Sequence, residues 1–137
     1  RFMSFKFSLK SEINLSQTHP DLQKVFNEVI KLHDCSVICG FRSEYEQNKA
    51  YQNNSSKLKW PNSKHNRHPS MAVDVVPYPL DWKDFKRFFY FAGIVKAVAY
   101  SQNVKIRWGG DFNMNGIFTD ERFVDLPHYE LLIGGSV

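Results

Sequence analysis

No run of about 18 apolar residues occurs that could cross a bilayer as a helix, so stable membrane insertion is not expected. Cysteine is scarce: Cys35 and Cys39 are the only two. Four steps along a strand span roughly 13 Å, beyond disulfide reach, so both are expected to be free thiols rather than a bridge or a metal clip. There is no block of Lys and Arg, and the aromatics fall on helical or strand periods instead of forming a base-stacking platform. A nucleic-acid partner is therefore not expected. The opening Arg1-Phe2-Met3-Ser4-Phe5-Lys6 lacks a long apolar segment and a small-residue cleavage site, which favours synthesis and folding in a cytoplasm. The single-helix His-Glu-x-x-His signature is also missing.

What is present suits one folded unit. The chain has 137 residues, 42% of them hydrophobic and 15% aromatic. That is enough for one core, so residues 1–137 are expected to form a single domain, as a monomer. A net charge of +4 favours encounter with anionic partners such as a cell-wall polymer, although a plain cationic surface would look the same.

Thr18-His19-Pro20-Asp21 opens a helix in which Leu22, Val25, Phe26, Val29, Ile30 and His33 recur on a 3.6-residue period. His19 and His33 read as surface or helix-end histidines. Ser36 to Phe41 reads as a buried strand, and Ser43 with Glu46 as the capping box of the next helix. Arg42 lies at that handover, where a side chain can point into a site or simply join a surface ion pair. Gln52 to Asn62 is a polar loop. Ala72-Val73-Asp74-Val75-Val76 has the density of a central strand, and the carboxylate inside it needs a partner, because burying it unpaired is costly.

A long helix is expected from Asp81 to about Ser101, with Trp82, Phe85, Phe89, Ala92, Val95 and Ala99 as its main stripe. Phe88, Phe91, Ile94 and Val98 widen that stripe until most sides look buried. Val104 to Trp108 is a strand candidate. Asp111-Phe112-Asn113-Met114-Asn115-Gly116 matches the opening of a calcium loop, but Arg122 stands at the twelfth position and Glu121 comes one residue early. A plain Asn-Gly turn is the competing reading. Asp125 to Leu132 reads as a last strand entered from a turn, with a loose tail from Ile133 to Val137.

A hydrolytic zinc ion takes three protein ligands and keeps a fourth position for water. His65, Asp74 and His128 can supply those ligands. Asp125, three residues before His128, is placed to act as the base, and Arg42 can supply a positive donor for the developing oxyanion.

The succession Gly40-Phe41-Arg42-Ser43, Ser63-Lys64-His65, Ala72-Val73-Asp74, Arg107-Trp108-Gly109-Gly110-Asp111 and Asp125-Leu126-Pro127-His128-Tyr129-Glu130 resembles the D-Ala-D-Ala carboxypeptidase/VanY-like zinc peptidases (peptidase family M15). Within them it is most similar to phage endolysins of the L-alanyl-D-glutamate peptidase type. The resemblance implies an α+β fold, a small central antiparallel sheet with helices packed on it and a zinc site at the sheet (Hedgehog/DD-peptidase-like). It implies one zinc held by His65, Asp74 and His128, with Asp125 as general base and Arg42 stabilising the transition state.

The implied substrate is the stem peptide of peptidoglycan, reached from the host cytoplasm after holin-mediated release. The loop between His65 and Asp74 is two residues longer than in many members, which leaves His68 as a rival ligand. A D-Ala-D-Ala carboxypeptidase or dipeptidase, or a non-catalytic wall-binding module, are the alternative readings.

Overall fold

The computed structural model describes residues 4–121 and 124–132. Arg122 and the expected tail from Ile133 lie outside the described residues. Along the chain the elements are α1 (Leu9–Ser16), α2 (Pro20–Leu32), β1 (Cys35–Cys39), α3 (Glu44–Gln52), a 3-10 turn (Lys64–Asn66), β2 (Ala72–Pro77), α4 (Phe85–Ser101), β3 (Ile106–Trp108) and β4 (His128–Leu131). The strands form one antiparallel sheet in the order β1-β2-β4-β3. This is the small-sheet α+β fold that the sequence implies.

The second strand has neighbours on both edges and is buried along its whole length, which is why its residues are nearly all apolar. Alternation along the strands separates two faces. Val73, Val75, Val37, Ile106, Tyr129 and Leu131 belong to the hydrophobic core. Helix α2 closes that core with Leu22, Val25, Phe26, Val29 and Ile30, and Phe26 meets the Tyr129 ring edge-on at 5.5 Å. Asp74 belongs to the opposite face, where it pairs with His128, while Ala72 pairs with Glu130.

His19 caps α2 by accepting the Asp21 N–H at its Nδ1, 3.0 Å away, and His33 ends the same helix. Both are helix-end residues. The capping box of α3 forms between Ser43 and Glu46. Both cysteines are free thiols, and burial pushes the Cys35 thiol up to about 12.

Three features differ from the sequence expectation. Helix α1 falls in a stretch that reads only as a polar start, because its anchors are hydrogen bonds: Ser11 Oγ accepts Val37 N–H at 2.9 Å and Asn14 Nδ2 donates to Val37 O at 2.8 Å. The first strand ends at Cys39, two residues early, where the chain bends into Gly40. Helix α4 starts at Phe85, not Asp81, since Asp81 folds a turn onto Lys83 and Asp84 provides the cap.

The buried face of α4 is therefore Phe88, Phe91, Ala92, Val95, Val98 and Ala99, while Phe85 is 59% exposed and Trp82 51% exposed. The helix is not buried on most sides. Aromatics occupy both of its faces, and Phe89 leaves the core to pack edge-on against Trp108 and Phe118.

A Cβ at Gly40 would stand 2.1 Å from the Asn14 carbonyl oxygen, so no side chain fits between α1 and the end of β1. Gly40→Ala is expected to force that contact apart and to destabilise the fold by about 1–3 kcal/mol, the usual range for overpacking. Thermal denaturation checks this, and an unchanged melting temperature would show that the contact yields freely.

Candidate metal centre

The three side chains that meet on the second sheet face arrive on different segments. Asp74 comes from the middle of β2, and His128 is the first residue of β4, directly across from it. His65 comes from the 3-10 turn, which its own capping box holds: Ser63 Oγ accepts His65 N–H and Asn66 Oδ1 accepts Ser63 N–H. Backbone bonds from Arg42 N to His65 O and from Met71 N to Lys64 O tie the turn down.

Hydrogen bonds fix opposite tautomers in the two imidazoles. His65 is only 2% exposed, and its Nδ1 lies 2.8 Å from Gly40 O, which accepts its proton and leaves Nε2 as the free lone pair. His128 does the reverse: its Nε2 lies 2.8 Å from Glu130 Oε1, so the lone pair sits on Nδ1. These two nitrogens face one atom, and each can carry a proton or give its lone pair to a metal. Asp74 Oδ1 stands 3.3 Å from His65 Nε2 and 3.3 Å from His128 Nδ1.

Asp74 Oδ1 and His65 Nε2 are buried and have no hydrogen-bond partner. Donors bound at about 2.0–2.1 Å to a tetrahedral zinc ion stand about 3.3 Å from one another. The three side chains fit such an ion in donor chemistry, and both distances to Asp74 Oδ1 match that spacing.

The electrostatics agree. Burial works to raise the Asp74 carboxyl, but the charges of His65 and His128 beside it hold it far below the usual carboxylate range. Burial works to lower the His65 imidazole, but Asp74 outweighs it and lifts the group to about 10; His128 is raised in the same way. Imidazoles with such proton affinity bind a proton or a metal in competition, so metal uptake releases protons and weakens as pH falls.

Asp125 sits in the turn before β4, about one-third exposed at 32%, with its Oδ2 3.9 Å from His128 Nδ1. Burial, and then the charge of Asp74, raise its carboxyl above the ordinary range. Its position is set by Gly109, whose oxygen accepts the Asp125 N–H at 2.8 Å. A Cβ on Gly109 would stand 2.0 Å from the Asp125 carbonyl oxygen, so glycine is required there. Arg42 lies on the other side, with Nη2 3.5 Å from Asp74 Oδ2. His68, in contrast, is exposed, turns its ring to Phe41 and does not line the cleft. The structure brings together His65, Asp74, His128, Asp125 and Arg42 and leaves His68 outside.

Sequence reasoning passed over Glu130 and set Cys39 aside as a free thiol. Glu130 holds His128 with one oxygen, while its other oxygen accepts from Arg107 Nη2 at 2.7 Å and lies 3.1 Å from Lys64 Nζ. Burial works to raise it, but the bond from His128 and the cations around it bring it down to about 2. The alternation His128-Tyr129-Glu130 was the available signal, since it puts residues 128 and 130 on one face. Cys39 Sγ lies 3.7 Å from His65 Nδ1, beside the nitrogen that Gly40 engages rather than the one facing Asp74. With His65 and Asp74 it makes one of two metal-capable groupings among the described residues; the other is Asp74, Asp125 and His128.

The loop from Asp111 curls on itself. Asp111 Oδ2 accepts Gly116 N–H and Glu121 Oε1 accepts Phe112 N–H, each at 2.8 Å. Asp111 Oδ1 and Glu121 Oε2 are buried with no hydrogen-bond partner. The twelfth calcium-loop position, Arg122, is outside the described residues.

Two imidazoles and a carboxylate converging on one point, with a second carboxylate at the rim and a guanidinium opposite, have the chemistry of a metal-dependent hydrolase. Known proteins narrow this class. A family profile described as phage L-alanyl-D-glutamate peptidase matches residues 3–132. The L-alanyl-D-glutamate peptidase of Escherichia phage T5 is 32% identical over 124 residues, covering 87% of this chain and 90% of that protein. The crystal structure of the Serratia marcescens L-Ala D-Glu endopeptidase ChiX is similar with a TM-score of 0.73 and 28% identity, over 94% of this chain and 91% of that one. The chain belongs to the phage L-alanyl-D-glutamate peptidase family.

If Glu130 fixes the His128 tautomer, Glu130→Gln should weaken zinc binding by about 10–100-fold, the usual cost of losing such a carboxylate. Competition with a chromogenic chelator measures it, and wild-type affinity in the variant would show that the ring is held by other contacts.

Proposed function

We propose that this protein is a phage endolysin: a zinc peptidase that cleaves the L-Ala–D-Glu bond of peptidoglycan stem peptides and so lyses the host. The observation that carries this reading is the convergence of His65 Nε2 and His128 Nδ1 on Asp74 Oδ1 at 3.3 Å in a member of this peptidase family. We extend the kinship to the wider D-Ala-D-Ala carboxypeptidase/VanY-like peptidases, because the same residues account for that resemblance.

His65, Asp74 and His128 would hold one zinc ion. When bound, it supplies Lewis acidity and lowers the pKa of a water at its open position. Asp125 takes the proton of the attacking water and passes it to the leaving amine. Its place beside His128, about one-third exposed, suits both halves of that transfer, because a base must also let the proton go as an acid. Arg42 faces the developing oxyanion as a fixed positive donor.

The substrate lies in an open cleft of about 1090 Å³ over these residues, whose walls include Arg42, Lys57, Lys64 and Arg107. Asp120, Glu121 and Glu130 line it too, so the walls carry both signs, and the free carboxylates of a stem peptide would meet individual basic groups. No helix among the described residues is long and apolar enough to cross a membrane. On this reading the protein works as a monomeric single domain, accumulates in the host cytoplasm and reaches the periplasmic wall after a holin opens the inner membrane.

A calcium ion at Asp111–Asn115 is the finer cofactor reading. It is supported by the two partnerless carboxylate oxygens of Asp111 and Glu121, and by the acceptor-rich turn between them.

Purified peptidoglycan digested with and without zinc, with product masses recorded, tests the reaction. New termini at L-Ala and D-Glu are expected. Loss of terminal D-Ala with that bond intact would instead indicate a carboxypeptidase. His65→Ala and His128→Ala should lose the metal by elemental analysis, and full zinc in both would refute the ligand set. Asp125→Ala should keep zinc and fold yet lose digestion. Unchanged digestion would remove the assigned base, and a wild-type protein that binds wall without cutting it would indicate a binding module. Calcium added to the zinc-restored enzyme should raise its melting temperature if the Asp111 loop takes the ion.

A further inference from the structure

The third helix is polar throughout, and Gln47 is the only residue it buries, at 0% exposure. A buried primary amide has two donor and two acceptor sites to satisfy, and Gln47 fills all four across three segments. Its Oε1 accepts from Arg42 Nη1 at 3.0 Å and from Asn66 Nδ2 at 3.1 Å, and its Nε2 donates to Ser56 Oγ at 3.0 Å and Leu58 O at 2.6 Å. The orientation of the amide is dictated by its partners, since Arg42 and Asn66 present only N–H groups on one side and Leu58 presents a carbonyl on the other.

These partners surround the cleft. Arg42 carries the guanidinium that faces Asp74 at 3.5 Å. Asn66 donates also to Arg42 O and belongs to the turn that carries His65. Ser56 and Leu58 lie in the segment that forms one wall of the cleft, next to Lys57. A neutral amide can hold a guanidinium without cancelling its charge. A carboxylate at the same place would keep an acceptor for Arg42, but it would neutralise the guanidinium and could not donate to Ser56 and Leu58.

We propose that Gln47 is a positioning residue that aims Arg42 at the reacting carbonyl and ties that aim to the wall formed by Ser55–Leu58. It touches neither metal ligand nor substrate and acts through Arg42. The inference rests on the reading of Arg42 as the transition-state donor.

The test compares Gln47→Ala, Gln47→Glu, Arg42→Ala and the double variant Arg42→Ala/Gln47→Ala. Each is zinc-loaded and assayed for kcat and KM on a soluble stem peptide containing L-Ala–D-Glu. Gln47→Ala should lower kcat about a hundredfold, the scale of a misplaced group near the chemistry, with zinc affinity unchanged. In the Arg42→Ala background the same substitution should lower kcat by less than threefold and leave only a rise in KM from the loosened wall.

Gln47→Glu keeps the Oε1 acceptor and the shape of the side chain, so it reads function even if the alanine variant fails to fold. It should lose kcat while keeping the zinc content. Wild-type kcat in Gln47→Glu, or losses that multiply in the double variant, would overturn the proposal. Wild-type turnover in Arg42→Ala would instead sink the role of Arg42 itself, and an uncut peptide with the wild-type enzyme would sink the reaction, so the three failures are distinct.

Discussion

The buried carboxylate of Asp74 is the constraint to which the rest of the molecule responds. An ionised carboxylate in the middle of a central strand is tolerated only if nearby positive groups match it, and here they come from both sides of the sequence. His65 and His128 stand against one oxygen and Arg42 against the other. Each of these groups is held in turn by a further layer: Gly40 behind His65, Glu130 behind His128 and Gln47 behind Arg42. The polar face of the sheet is thus a set of nested compensations around one negative charge. The hydrophobic face behind it supplies the stability that such a site consumes.

That layering explains what could be read from the sequence. An acidic residue inside Ala72-Val73-Asp74-Val75-Val76 announces that something positive must reach it, and the spacing of Asp125 and His128 fits one turn entering one strand. The capping box at Ser43, the period of α2 and the central place of β2 are local or periodic patterns, and they are legible for that reason. The choice of His65 over His68 was made in the sequence, but no local pattern explains it. It depends on a turn closed by Ser63 and Asn66 and on a carbonyl at Gly40, 25 residues away.

The same limit applies to the fold. Helix α1 buries only Ser11 and Leu15, so its apolar period is too faint to read. Its hold on the sheet is the pair of hydrogen bonds to Val37. In α4 the difficulty was the opposite, an excess of aromatics. With rings on both faces, the period alone does not say which face turns inward; Phe88 and Phe91 do, while Phe89 packs against Trp108 and Phe118. Gln47 lay within a helix whose polar composition gave no reason to single out any residue.

The direct pairing of Asp74 with His128 across β2 and β4 gives the centre a mechanical meaning as well. An ion bound there would act as a cross-strand rivet, fastening the two middle strands, and through His65 it would also clamp the long excursion between β1 and β2. By mass action, any metal that binds the folded chain and not the unfolded one adds to its stability in proportion to the logarithm of its free concentration. The supply of metal would then govern how long the protein survives proteolysis, apart from how fast it cuts.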